Sequence, residues 1–193
     1  MLNVCSYRRS GTHYLMALIA ANFKFKEDLR LEAETGHENK WIGDGNIKAT
    51  VPWGKLFLTH GHFGTALENN MVYIYRHPVD VFRSLWEFFG KPGGLNEFVT
   101  EDKIEDWIHH VNGYLNADIY SVRYDHLTSM PISTLNKLKD HFELKLKDGE
   151  FHPVKERVGW KEKAKMAETE GYSENTLDLF RSVLGEEFRG FKL

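Results

Sequence analysis

"SYRRSGTHYL", Ser6 to Leu15, follows the apolar run "LNVC" and leads into "HYLMALIAA". An apolar strand-like run, a loop of small and basic residues, then a helix-like run is the layout of a phosphate cradle. Glycine lets the backbone approach the ligand, and the N–H groups that open the helix point at it. A nucleotide triphosphatase would need Gly-x4-Gly-Lys-[Ser/Thr] here. Instead Ser6 stands at the place of the first glycine, Thr12 rather than lysine follows Gly11, and the positive charge sits at Arg9. Ser10 and Thr12 offer hydroxyl donors and Arg9 a forked cation. Such a loop suits a phosphate or sulfate group and makes no obvious provision for magnesium. Read alone, the stretch also fits a tight strand-to-helix turn carrying two exposed arginines, Arg8 and Arg9.

Outward from this loop, short β-rich runs alternate with helical patterns, which predicts an α/β fold: three layers, α/β/α, around a mostly parallel sheet. Strands are expected at Leu2 to Ser6, Lys55 to His60, Asn70 to Arg76 and in "DIYSVRY". Helices are expected at Thr12 to Phe23, from Pro78 onward, at Glu101 to Leu115, from Pro131, and near Ser173 to Leu184. Pro78 suits a first helical turn and Asp80 a helix N-terminus. Residues 26 to 53 are polar and rich in turn formers, an excursion expected to face substrate.

At 193 residues the chain is expected to form one domain, 1–193. A net charge of −3 argues against general nucleic-acid or acidic-membrane binding, which needs a basic surplus. Cys5 is the one cysteine, so no intrachain disulfide forms, and it reads as a buried apolar residue. No apolar run approaches the roughly 20 residues of a membrane span and no signal-like segment opens the chain, so the expected compartment is the cytoplasm.

Four stretches, in order, resemble the sulfotransferases that use 3′-phosphoadenosine 5′-phosphosulfate (PAPS). Their 5′-phosphosulfate loop reads approximately Tyr-Pro-[Lys/Arg]-Ser-Gly-Thr, which Tyr7, Arg9, Ser10, Gly11, Thr12 and then Tyr14 match, with Arg8 in place of the proline. "FLTHGH" is similar to a Lys-Thr-His strand end that supplies a general base, with Thr59 and His60 matching and Leu58 for the lysine. "YRHPVDVFRSLWEF" resembles the 3′-phosphate signature, with Arg76 and Ser84 eight residues apart, as in that signature. "SVRYDHL" resembles an Arg-Tyr-Glu-Asp-Leu strand end. In the tail, "VGWKEK" is similar to a Gly-x-Trp-Lys segment, while the family's Arg-Lys-Gly is absent and Lys155 and Arg157 are the nearest cations.

The resemblance implies a P-loop NTPase-like sulfotransferase fold and transfer of a sulfuryl group from PAPS, leaving PAP, to a hydroxyl or amine of a small-molecule or glycan acceptor. It implies His60 as general base and Arg9 as stabiliser of the leaving phosphate. The donor would be held by Arg8, Arg9, Ser10, Gly11, Thr12, His13, Tyr14, Arg76, Ser84, Tyr124, Lys155 and Arg157. No metal is required. A zinc reading of His60 and His62 needs a third ligand that nothing in the sequence indicates. His109 and His110 are adjacent on a helix and are expected to be exposed or at an interface. Tyr124 and Asp125 are expected to brace the site, Trp53 to face the acceptor or adenine, and Trp41, Trp86, Phe88 and Phe89 to serve mostly as core. The alternatives are a P-loop nucleotide or nucleoside kinase, and a non-catalytic domain that binds PAPS or PAP.

Overall fold

Strand β1, Leu2–Ser6, is buried at all five residues, as a strand covered on both faces must be. The computed structural model describes residues 2–24, 49–50, 56–59, 70–152, 171–185 and 187–192. In it β1 lies at the centre of a five-stranded sheet of order β2-β3-β1-β4-β5. β3 (Leu56–Thr59) and β4 (Met71–Tyr75) flank β1 in parallel, and β5 (Tyr120–Arg123) extends the sheet in parallel beyond β4. The two-residue β2, Ala49–Thr50, pairs antiparallel on β3. It falls inside the polar stretch that the sequence reading treats as an excursion; two residues are too few to show a period.

Successive strand side chains point to opposite faces, and the core divides accordingly. Leu2, Val4, Val72, Ile74 and Val122 face one layer, formed by α1 (Thr12–Asn22), α5 (Tyr124–Ser129) and α6 (Pro131–His141). Cys5, Met71, Tyr73 and Tyr75 face the other, formed by α2 (Pro78–Phe88), α4 (Glu101–Leu115) and α7 (Glu174–Leu184). Each of Leu15, Leu18 and Ile19 is buried and contributes about 1.5–3 kcal/mol. The short helix α3, Leu95–Phe98, links α2 to α4. A hairpin of β6 (Glu187–Phe188) and β7 (Phe191–Lys192) follows α7 and packs Phe191 against Tyr75 and His77. Three layers, α/β/α, around a mostly parallel sheet are what the alternating sequence pattern predicts.

Two expectations about buried groups separate here. Cys5 is fully buried and burial pushes its thiol up to about 12, so it stays protonated and inert at neutral pH. His110 is not exposed as its neighbour His109 is; it is 1% exposed, and its Nδ1 shares a hydrogen bond with the Tyr73 hydroxyl at 2.9 Å. α4 turns about 100° per residue, so two adjacent histidines cannot both face solvent once Trp107, Val111 and Tyr114 set the buried face.

Candidate active site at the phosphate loop

The loop after β1 closes on itself through Ser10 N–H donating to the Tyr7 carbonyl at 3.3 Å. Arg9 sits at φ 67° and Gly11 at φ 95°. At Gly11 the glycine is obligatory twice over: the left-handed backbone disfavours any Cβ, and one would lie 2.2 Å from Cδ2 of Tyr124. The Tyr124 ring therefore rests directly on the loop.

Gly11 is also the N-cap of α1, and that end carries no side-chain cap and no acid in its first turn. By contrast α7 is capped by Ser173, and α4 has Glu101 and Asp102 in its first turn. The opening N–H groups of α1 thus keep their partial positive charge for an external anion. Ser10 is buried and its Oγ has no hydrogen-bond partner among the described residues, a donor held ready, since buried hydroxyls are otherwise nearly always satisfied. The Thr12 hydroxyl hydrogen-bonds the Ser6 hydroxyl and is buried, so it ties the two ends of the loop together.

Two arginines converge over the loop. Arg9 Nε donates to Ser84 Oγ at 3.1 Å, and its guanidinium lies 5.0 Å from the centre of the Phe88 ring. Ser84 and Phe88 are one helical turn apart on the same face of α2, so the helix presents both to the same cation. Arg76, just beyond β4, lies with its guanidinium 4.7 Å from the centre of the Tyr124 ring and meets Asp80 at 3.4 Å. Its Nε is buried with no partner among the described residues. Burial and then the Arg76 charge hold the Arg9 pKa below its ordinary value, with Glu87 opposing. Two cations that repel one another at an uncapped helix N-terminus form an anion site.

The loop is braced from both sides. Tyr7 OH donates to Asp106 on α4 at 2.9 Å, which fixes where β1 ends. From the other side Tyr124 presses on Gly11 by ring contact, where the sequence reading expects hydrogen bonding. Asp125 does brace by hydrogen bonds: it receives Arg123 Nε at 3.0 Å and Nη2 at 2.5 Å.

Of the remaining expected donor ligands, Arg8 and Tyr14 are half-buried and His13 is exposed, all in or next to the loop. His60, His62, Trp41, Trp53, Lys155 and Arg157 lie outside the described residues. Phe88 and Phe89 are not core; they are 50% and 51% exposed. Phe88 was legible as a site residue from its place four after Ser84, since a helix that offers one offers both. Among the described residues no group of His, Cys, Asp and Glu could hold a metal ion, and no helix is long and apolar enough to cross a membrane.

A family model described as "Sulfotransferase domain" matches residues 2–179. Among solved structures the fold is similar to mouse sulfotransferase SULT7A1 complexed with PAP, with a TM-score of 0.67 and 14% identity, over 97% of this chain and 83% of that one. No curated protein matches the sequence.

Proposed function

The chain belongs to the sulfotransferase domain family, the PAPS-dependent sulfotransferases, and from that premise we propose that residues 1–193 act as one domain that moves a sulfuryl group from PAPS to a hydroxyl or amine. The observation that carries the reading is the pairing of Arg9 with Arg76 over the uncapped N-terminus of α1, with Ser10 Oγ and Arg76 Nε buried and unpartnered among the described residues. A doubly anionic ligand relieves the repulsion and satisfies both atoms.

In this reading the phosphosulfate end rests on the loop backbone from Ser10 to Tyr14, with Arg8 at its rim. Arg9, steered by Ser84, stabilises the charge that builds on the leaving phosphate. Arg76 takes the second anionic end of the donor, and Tyr124 sets the spacing between the two. His60 accepts the acceptor's proton; an imidazole of ordinary pKa, about 6.5, is mostly neutral at pH 7. It is the next residue in the chain after Thr59, which stands in register with Cys5, one residue before the loop side of β1. The exposed rings of Phe88 and Phe89 beside Arg9 favour a small acceptor with an apolar body.

Calorimetric titration in magnesium-free buffer tests donor identity. PAP is expected to bind; binding of ATP alone, and only with magnesium, would sink the proposal. His60→Ala is expected to lower transfer by about 10²–10⁴-fold and leave PAP binding intact. Equal turnover in both proteins removes His60 from its role, and PAP binding with no turnover of any hydroxyl or amine acceptor leaves a binding domain.

A further inference from the structure

Tyr7 is the first residue past β1 and opens the phosphate loop. Each of its polar groups has a partner. Its hydroxyl donates to Asp106 at 2.9 Å, its carbonyl receives Ser10 N–H at 3.3 Å, and its own N–H donates to the Tyr73 hydroxyl. That hydroxyl in turn shares a hydrogen bond with His110 Nδ1 at 2.9 Å. The Tyr7 and His110 rings also meet edge to face, with centres 5.3 Å apart and planes at 84°. Asp106 and His110 stand four residues apart, one turn of α4. One side of that helix therefore holds Tyr7 by its hydroxyl, by its ring and, through Tyr73, by its backbone.

Tyr73 and His110 are 0% and 1% exposed, and the Tyr73 ring is stacked 4.5 Å from that of Tyr114. Apolar side chains could fill the same space without burying polar atoms, which cost stability unless they are satisfied. The buried pair does for the N–H of Tyr7 what a neighbouring strand does for those within β1. Its effect reaches the site, because Tyr7 and Ser10 are the two fixed ends of the turn that carries Arg9. Arg9 has φ 67°, a conformation that a residue other than glycine keeps only where its surroundings over-determine it.

We infer that His110, acting through the Tyr73 hydroxyl, is a positioning residue for the phosphate loop: it fixes Tyr7, so that Arg9 and Ser10 are set in place before the donor arrives. Neither His110 nor Tyr73 touches the ligand in this scheme; both lower the cost of ordering the residues that do. The inference rests on the donor reading above, in which the 5′ end of the donor lies on this loop. The effect of the pair is then confined to that end of the molecule.

The test titrates PAP, and adenosine 3′-phosphate, which lacks the 5′ group, into wild type, His110→Asn, His110→Leu and Tyr73→Phe. The amide of asparagine stands where Nδ1 does and can keep the bond to Tyr73, whereas leucine cannot. His110→Asn should bind PAP within about threefold of wild type, and His110→Leu should weaken it about tenfold. Tyr73→Phe keeps the stacked ring, loses only the hydroxyl, and should match His110→Leu. Adenosine 3′-phosphate should bind all four proteins alike. Wild-type affinity for PAP in Tyr73→Phe or His110→Leu, equal losses in the two His110 variants, or parallel losses for both ligands overturn this inference and leave the donor reading standing. A wild type that does not bind PAP overturns both.

Discussion

Arg76 and Arg123 end adjacent parallel strands, and their side chains are almost equally exposed, at 18% and 21%. Burial does not distinguish them; their partners do. Arg123 has its guanidinium filled by Asp125 and the Gly190 carbonyl and stacks 4.6 Å from the Phe191 ring centre. It fastens the C-terminal hairpin to the sheet. Arg76 has one long ion pair, an aromatic floor and a buried Nε with nothing to donate to among the described residues. The difference teaches that equal burial can leave one guanidinium with its donors used and the other, stacked in place, with donors to spare.

The sharpest way to break the comparison is to unseat the ring beneath Arg76. Gly11→Ala forces a Cβ into Tyr124 at φ 95° and is expected to cost more than about 2 kcal/mol and abolish PAP binding. Combining it with Tyr124→Ala should recover part of the stability, as read by denaturant midpoints. Next, Arg76→Ala should weaken PAP by about 100-fold while moving stability by no more than about 0.5 kcal/mol.

Arg123→Ala should do the reverse, losing about 1–2 kcal/mol of stability with a few-fold weaker PAP, through the loosened hairpin. Matching losses of affinity in the two variants, with unchanged melting, would erase the distinction.

The smallest effect concerns pH. Burial raises the Asp125 pKa, but the Arg123 hydrogen bonds and charge, with the His126 N–H, outweigh it and hold the carboxyl below its ordinary range. A carboxyl depressed in the folded state contributes stability above its unfolded pKa of about 4 and loses it as pH falls through the folded value. The Tm gap between wild type and Asp125→Asn is therefore expected to be constant near neutrality and to close below about pH 4.

Much of this arrangement is legible in one dimension. Pro78 and Asp80 mark the start of α2, the buried face of α4 repeats with helical period, and β1 is marked by Leu2, Val4 and Cys5. Arg9, Ser10, Gly11, Arg76, Ser84 and Tyr124 all come to the same edge of the sheet because each sits at or just past a strand end, or on the helix that leaves one. What is not legible is who touches whom. Thr12 meets Ser6 and Arg9 reaches Ser84, and the hairpin strands β6 and β7, two residues each, carry no period of their own.

Alternation of strand and helix patterns, with a glycine at the first turn, determined from sequence alone that a tight strand-to-helix loop would stand beside parallel strand ends. Local propensity and side-chain period are properties of neighbouring residues, and a sequence displays them directly. Which of two strand-end arginines keeps its donors was decided only in three dimensions. That outcome depends on Asp125 and the Gly190 carbonyl filling Arg123, and a contact such as that with Gly190 leaves no trace in the spacing of residues along the chain.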